Sequence, residues 1–273
     1  SITLSHDFST QKPRTWFGVP LVNGTLDTSI RRNNYNVTDA RLRFRDNWSQ
    51  AKIEWTPSDA ITIRSTFYHL WSNKYWKNAE NVTYVPATAT SPAQIRQSSF
   101  LELYHIQKQS GNRTTANLSH DFGGVENQLV VGFDVNRISY KNVSNSGNNA
   151  TRLIDVLNPV PGLFIDQATA TTKPRYTNKI RQYSIFAEDR LKFSEQFSLV
   201  GGLRYDRPEI TKTDYVNSAN NFTGTPDAVT WRVGAVYNPI PTLSLYGQYA
   251  TAADPVGALV STSLAQSSFD LST

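Results

Sequence analysis

Apolar and polar residues alternate with a period of two in about nine stretches of this 273-residue chain, and the connections between those stretches alternate between tight and long. The stretches lie near residues 1–8, 43–56, 61–73, 100–120, 127–140, 180–193, 197–207, 228–238 and 242–251. Successive side chains of a strand point to opposite faces, so such alternation makes one greasy face and one polar face. In "AKIEWTP", Ala51, Ile53 and Trp55 oppose Lys52 and Glu54; in "VTWRVGAVYN", Val229, Trp231, Val233, Ala235 and Tyr237 oppose Thr230, Arg232 and Asn238. The tight connections are "TPSDA" (56–60), "GGVEN" (123–127), "SEQ" (194–196) and "NPIPT" (238–242), rich in the residues that make turns. The long ones run over 9–42, 74–99, 141–179, 208–227 and from 252 onward. With each strand antiparallel to its neighbour, every tight turn falls at one end of the sheet and every long connection at the other.

A β-sandwich scatters long connections over both ends and uses strands of about five or six residues. Several stretches here exceed ten, the length a tilted strand needs to cross a bilayer. The fold class that follows is all-β: an antiparallel up-and-down transmembrane β-barrel, of which this chain makes a partial barrel of about nine or ten strands. A spanning barrel has to close on itself, and an odd count of strands implies further ones. Trp55, Trp71, Phe193, Phe197 and Tyr237 sit near strand ends, where an interfacial aromatic girdle belongs.

Composition agrees. Aromatic residues make up 12% of the chain, and no window holds the roughly 18 apolar residues of a spanning helix. There is no cysteine for a disulfide or thiolate site. There is no methionine and no basic-then-apolar leader, so the chain is expected to be a mature piece or an internal fragment. The net charge of +5 comes from scattered Lys and Arg, which gives no basic stripe for nucleic acid; a lumen or mouth that attracts small anions is the better use of it. Nine Asn-x-Ser/Thr sites are read as a consequence of Asn, Ser and Thr abundance, because Asn47, Asn112 and Asn117 fall in or beside expected strands.

Catalytic motifs are absent, and no enzymatic activity is expected. His6, His69, His105 and His120 are too dispersed for a metal cluster. Glu188 and Asp189, being adjacent, face opposite sides of a strand and cannot act as a pair.

The order "YSIFAEDRLKFSEQFSLVGGLRYDR" (183–207), "WRVGAVYNPIPTLSLYGQYATAADPVG" and "SLAQSSFDLS" resembles the C-terminal half of TonB-dependent ferric-siderophore receptors, in which YxxFAxD, GLRYD, GxVYxP and LYxxYAxxxDP strands follow one another. "QLVVGFDV" (128–135) and "IEWTP" followed by "ITIRSTFY" are similar more loosely. The resemblance implies a 22-stranded outer-membrane barrel of a Gram-negative bacterium, filled by an N-terminal plug, that imports ferric siderophores and is energised by the TonB complex acting on the plug. On that reading residues 1–273 are a partial barrel domain without plug or final strands, not competent alone; a passive porin-type channel is the alternative. Partners would be the ferric siderophore, the TonB complex through the plug, and outer-membrane lipid, with no nucleic acid and no cofactor beyond the transported chelate. A bulky anionic chelate calls for aromatic faces and cations. The ligand-binding candidates in the expected loops are Trp16, Arg31, Arg32, Tyr35, Tyr75, Trp76, Tyr84, Arg175 and Tyr176. Inward-facing Arg64, Arg190, Arg204 and Arg232 are expected to pair with acids such as Glu188 and Asp206, or to meet the plug.

Overall fold

A computed structural model describes residues 1–146, 149–164 and 171–253. The strands are β1 (Ile2–Gln11), β2 (Arg41–Ser58), β3 (Ile61–Val85), β4 (Gln94–Asp121), β5 (Glu126–Ser144), β6 (Thr151–Asp155), β7 (Lys173–Lys192), β8 (Phe197–Asp214), β9 (Phe222–Gly224), β10 (Ala228–Ile240) and β11 (Leu243–Ala250). They form one antiparallel sheet in the order β1-β2-β3-β4-β5-β7-β8-β10-β11, with β6 added to β4 and β9 to β8. Neighbours along this path are neighbours in sequence apart from those two short additions, which is up-and-down topology. Among the described residues β1 and β11 each pair on one side only, so the sheet is the open wall of a partial barrel. The "SLAQSSFDLS" stretch lies outside the described residues.

The tight turns stand where the sequence places them: β2 gives way to β3 across Asp59 and Ala60, β4 to β5 across 122–125, β7 to β8 across 193–196 and β10 to β11 across 241–242. At the other end the strands run further than alternation alone indicates. β3 continues to Val85, β4 begins at Gln94, β7 begins at Lys173 and β8 continues to Asp214, so much of the expected loop sequence is strand.

The register defines two faces. On the turn-side half of one face lie Ile53, Trp55, Phe67, Phe133, Val135, Tyr183, Ile185, Leu203, Trp231 and Val233, all at least 40% exposed although large and apolar. Ile2, Leu4 and Phe8 extend this band onto β1, opposite Ile53, Ala51 and Asn47. An exposed apolar belt of this extent is expected where the solvent is hydrocarbon. Trp55, Phe193, Phe197 and Tyr237 border it on the turn side, with Phe193 and Phe197 stacked at 5.9 Å, and Trp71 borders it on the loop side.

The belt is interrupted on β1–β4 by polar side chains that satisfy one another: His6 with Ser49 at 2.9 Å, His69 with Ser110 at 2.8 Å, and Ser65 with Thr114 at 2.8 Å beside Asn112. Pairing is what such groups require where water is scarce.

The loop-side limit of the belt can be traced by the first cation on the outward face of five strands, Arg45 on β2, Lys108 on β4, Arg137 on β5, Arg181 on β7 and Arg207 on β8; on β3 the first is Lys77, four residues above the level of Arg45. Across the sheet, Arg45 is level with Asn73, Ile106, Lys141, Thr177 and Thr213 in turn. Arg207 therefore lies six residues below the level of Arg45 after five strand-to-strand steps. With about 3.3 Å per residue and about 4.8 Å between strands, a flat boundary stepping this way means a strand tilt of about 40°, the tilt of membrane barrels.

Candidate functional site

The inward face is built from charge. Arg204 on β8 donates from Nε and Nη2 to the two oxygens of Asp206 at 2.7 and 2.8 Å, and from Nη1 to Asp134 on β5 at 3.1 Å. Asp206 also accepts from Ser184 Oγ at 2.5 Å and Gln182 Nε2 at 3.2 Å, while Arg113 on β4 approaches Asp134 at 3.4 Å. The Phe186 ring is in cation–π range of both guanidinium groups, at 5.2 Å from Arg113 and 5.5 Å from Arg204. It is the cross-strand partner of Gly132, as Tyr68 is of Gly111, and each glycine leaves room for the ring lying over it. Arg232 pairs with Glu188, and Arg64 with Glu54 at 2.6 Å. Of the four arginines expected here, Arg204, Arg232 and Arg64 have acidic partners, and Arg190 makes no ion pair among the described residues. Asp134, Arg113 and Phe186 are additions that only the register reveals, because they sit on three different strands.

At the loop end the segment before β2 folds back on the strands. Phe17 stacks on Trp76 at 5.6 Å and Phe44 flanks the same indole at 6.5 Å. The Trp76 Nε1–H donates to Asn78 Oδ1 at 2.7 Å and to Glu80. Beside this stack is a cleft of about 260 Å³ lined by Phe17, Val19, Asn34, Glu80 and Thr83, among others. Trp16, half exposed, donates from Nε1 to the Asn33 carbonyl at 3.0 Å. Arg31 and Arg32 are exposed on the same segment.

The remaining expected ligand residues lie elsewhere. Tyr35 is buried against Ile30, Ile95 and Ile154, with its hydroxyl donating to the Val156 carbonyl at 2.5 Å; Tyr84 packs against the same cluster. Tyr176 is buried with Tyr140, Ile180 and Ile210. Tyr75 is on the outward face above the belt, beside Tyr104 at 4.8 Å and donating to Glu102 at 2.8 Å. Tyr75, Trp76 and Tyr84 belong to β3, and Arg175 and Tyr176 to β7, so all five are strand residues rather than loop residues. An aromatic in an expected long connection reads as a ligand contact, but the loop end of the sheet carries hydrophobic cores of its own, and Tyr35 from a connection and Tyr176 from β7 fill them.

Asp39 ties that end together. It accepts from Lys77 Nζ at 2.7 Å and from the Phe164 N–H at 2.7 Å, and the adjacent Thr38 N–H donates to the Gly162 carbonyl at 2.9 Å. Burial raises its pKa, yet the hydrogen bonds from Lys77 and Phe164 and the Lys77 charge outweigh burial and hold the carboxyl below its ordinary value. A depressed carboxylate contributes stability above its unfolded value, about 4, and that contribution is lost as pH falls through the folded value. Asp39→Asn is therefore expected to speed amide exchange in residues 33–40 and 161–164 at neutral pH. The wild-type chain should approach the same exchange only below about pH 4.

Among the described residues no group of three or more His, Asp or Glu side chains is placed to hold a metal ion, and no helix is long and apolar enough to cross a membrane.

The family model described as TonB dependent receptor-like, β-barrel matches residues 1–270. The chain is 29% identical over 102 residues to the probable TonB-dependent siderophore receptor PiuA of Acinetobacter baumannii, an alignment covering 36% of this chain and 14% of that protein. The crystal structure of PiuA superposes with a TM-score of 0.74 at 16% identity, covering 95% of this chain and 40% of that one. The ferric-catecholate import receptor Fiu from E. coli K12 superposes with a TM-score of 0.77 at 17% identity, covering 98% of this chain and 43% of that one. The pyoverdine outer membrane receptor FpvA of Pseudomonas aeruginosa gives a TM-score of 0.73 at 17% identity over 93% and 36%. The chain thus spans less than half of the length of these relatives.

Proposed function

The chain belongs to the TonB dependent receptor-like β-barrel family, and from that premise we propose that it is part of the barrel wall of an outer-membrane receptor that imports ferric siderophores with energy from the TonB complex. The observation that carries this reading is the family match over residues 1–270, on a sheet with a lipid-type belt outside and every long connection at one end. The family is one of receptors and transporters rather than enzymes. Its setting is the outer membrane of a Gram-negative bacterium, where outer-membrane lipid meets the belt.

Ligand capture is assigned to the aromatic and cationic loop end: Trp16, the Phe17–Trp76–Phe44 stack, Arg31 and Arg32. Stacked rings and delocalised cations suit a bulky, often anionic chelate. The paired charges of the inward wall give it a different task, a surface of balanced charge against which a plug can rest. A plug partner and the TonB complex belong to the same proposal, and a passive porin is the less favoured reading.

The test is uptake of radioactive iron, supplied as a panel of ferric siderophores, by cells with and without the intact gene. The expected result is loss of uptake of one chelate class on deletion, and equal loss when TonB is removed. Uptake that persists without TonB would turn the reading to a passive channel. Trp76→Ala in the intact receptor is expected to raise the Kd for that chelate about tenfold, the scale of about 1–1.5 kcal/mol for an aromatic contact. Equilibrium binding of the chelate to purified receptor checks it.

A further inference from the structure

The outward cations that mark the top of the belt form a contiguous patch. Arg137 on β5 and Arg181 on β7 are direct cross-strand partners, and Ser110 opposite Arg137 is flanked along β4 by Lys108. Arg207 on β8 stands opposite Tyr183, two residues from Arg181 on the same face. Higher on the same face, Lys179 on β7 stands one outward position above Arg181, opposite Ser139, and Lys141 on β5 two outward positions above Arg137, opposite Thr177. Lys108, Arg137, Arg181 and Arg207 are exposed, and none of the four makes an ion pair among the described residues. The carboxylate nearest in register is Glu209, opposite Arg181, which leaves the patch strongly positive. On the inward wall Arg64, Arg204 and Arg232 are each bound to a carboxylate, and of the four arginines named there only Arg190 makes no ion pair among the described residues. The turn-side edge of the same outward belt carries no Lys or Arg on β5, β7, β8 and β10; it ends in Asn127, Leu191, Phe193, Phe197 and Tyr237.

Cations are thus concentrated at one edge of a hydrocarbon-facing belt and left without protein partners there. Arginine forks match phosphate oxygens bidentately, and basic side chains just above the acyl region draw anionic headgroups. We propose that Lys108, Arg137, Arg181 and Arg207 form a binding site for the phosphate groups of an outer-leaflet lipid whose acyl chains lie along Phe133, Val135, Tyr183 and Ile185. Continuity with the belt commits the site to a lipid rather than to free phosphate, since the four cations lie directly above the surface the chains would cover. The inference rests on the membrane placement proposed above, and does not depend on which chelate is imported.

The experiment is native mass spectrometry of the intact receptor in neutral detergent, mixed with a diphosphorylated disaccharide lipid or with the same lipid after enzymatic dephosphorylation. Retention of the phosphorylated lipid is expected to exceed that of the dephosphorylated one at least about tenfold, and to fall by a similar factor in Lys108→Gln/Arg137→Gln/Arg181→Gln/Arg207→Gln. Lys12→Gln/Arg14→Gln, which removes cations before β2, should leave retention unchanged. The double variant Arg137→Gln/Arg181→Gln should show a smaller loss in the same direction, and serves if the fourfold variant does not fold. Equal retention of both lipids, undiminished retention by the variants, or displacement by millimolar inorganic phosphate would each overturn the lipid site. Loss of lipid retention with siderophore uptake intact at wild-type charge would not touch the receptor reading, and absence of uptake with lipid retained would overturn that reading alone.

Discussion

Replacing Arg204 by alanine is expected to lower the unfolding free energy of the receptor by about 2–3 kcal/mol, the largest loss anticipated for a single inward side chain. The guanidinium is shared by Asp206, held through two bonds at 2.7 and 2.8 Å, and Asp134, held at 3.1 Å. Removing it leaves two carboxylates on adjacent parts of the wall, and Asp206 is only 9% exposed. A fully buried pair broken this way costs about 3–5 kcal/mol. The Arg204 side chain retains 31% exposure, so solvent screens part of the loss and the lower figure applies. Arg204→Ala/Asp206→Asn should recover part of it, because the orphaned charge is then gone. Arg204→Lys should fall between, keeping the charge but losing the fork. Urea unfolding of the purified receptor in lipid vesicles reads all three; equal stability of Arg204→Ala and wild type would show that the network is decoration.

The second large effect is steric. Gly132→Val is expected to destabilise by about 1–3 kcal/mol, the usual cost of overpacking. A Cβ at Gly132 would stand 2.7 Å from the Thr114 carbonyl oxygen and 2.5 Å from Phe186 Cζ. The ring could swing away, at the expense of its contacts with Arg113 and Arg204, but the Thr114 carbonyl belongs to the neighbouring strand and can move only by opening the ladder. Gly201 provides the control: it lies in the same sheet on β8, nothing stands within 4 Å of a Cβ there, and Gly201→Ala should change stability by less than about 0.5 kcal/mol. A Gly132→Val receptor that unfolds with wild type would mean that the aromatic–glycine pairing of the wall carries no packing role. Gly111 beneath Tyr68 is the same device one strand pair away, with the Val135 carbonyl at 2.6 Å from its Cβ position.

The sequence reveals the turn-side half of the fold far better than the loop-side half. Between Tyr183 and Arg207 one face meets hydrocarbon and the other faces a polar interior, so selection alternates with every residue and the turn at 193–196 is legible to within a residue or two. Beyond the belt that contrast is gone. The stretch from Asn73 to Val85 has water or covering loops on both sides, reads "NKYWKNAENVTYV" without alternation, and is strand all the same because the β3–β4 ladder continues. β6 and β9, of five and three residues, are held by β4 and β8 and leave no periodic signal.

Candidate sites follow the same division. Arg204 with Asp206 and Arg232 with Glu188 are visible because alternation fixes which way each side chain points. Tyr35 sits in a long connection and Tyr176 on the loop-side reach of β7; both regions hold hydrophobic cores of their own, and nothing local separates an exposed ring from a buried one. The Phe17–Trp76 stack and the outward row from Lys108 to Arg207 depend on pairing register across strands far apart in sequence, which composition and spacing do not encode.

On the proposed placement one face of this sheet meets lipid and the other a polar lumen, and the absence of cysteine from the chain makes this directly measurable. Single substitutions at successive positions from Leu199 to Arg207 in the intact receptor, each labelled with a nitroxide in vesicles, report contact with oxygen, which favours lipid, and with a water-soluble nickel chelate. A period of two is expected, with Leu199, Gly201, Leu203 and Tyr205 oxygen-rich and Val200, Gly202, Arg204 and Asp206 open to nickel. Arg207, although on the outward face, is expected to shift toward nickel because it stands at the boundary. Accessibility that fails to alternate, or that puts Arg204 and Asp206 in the oxygen-rich phase, would contradict that placement.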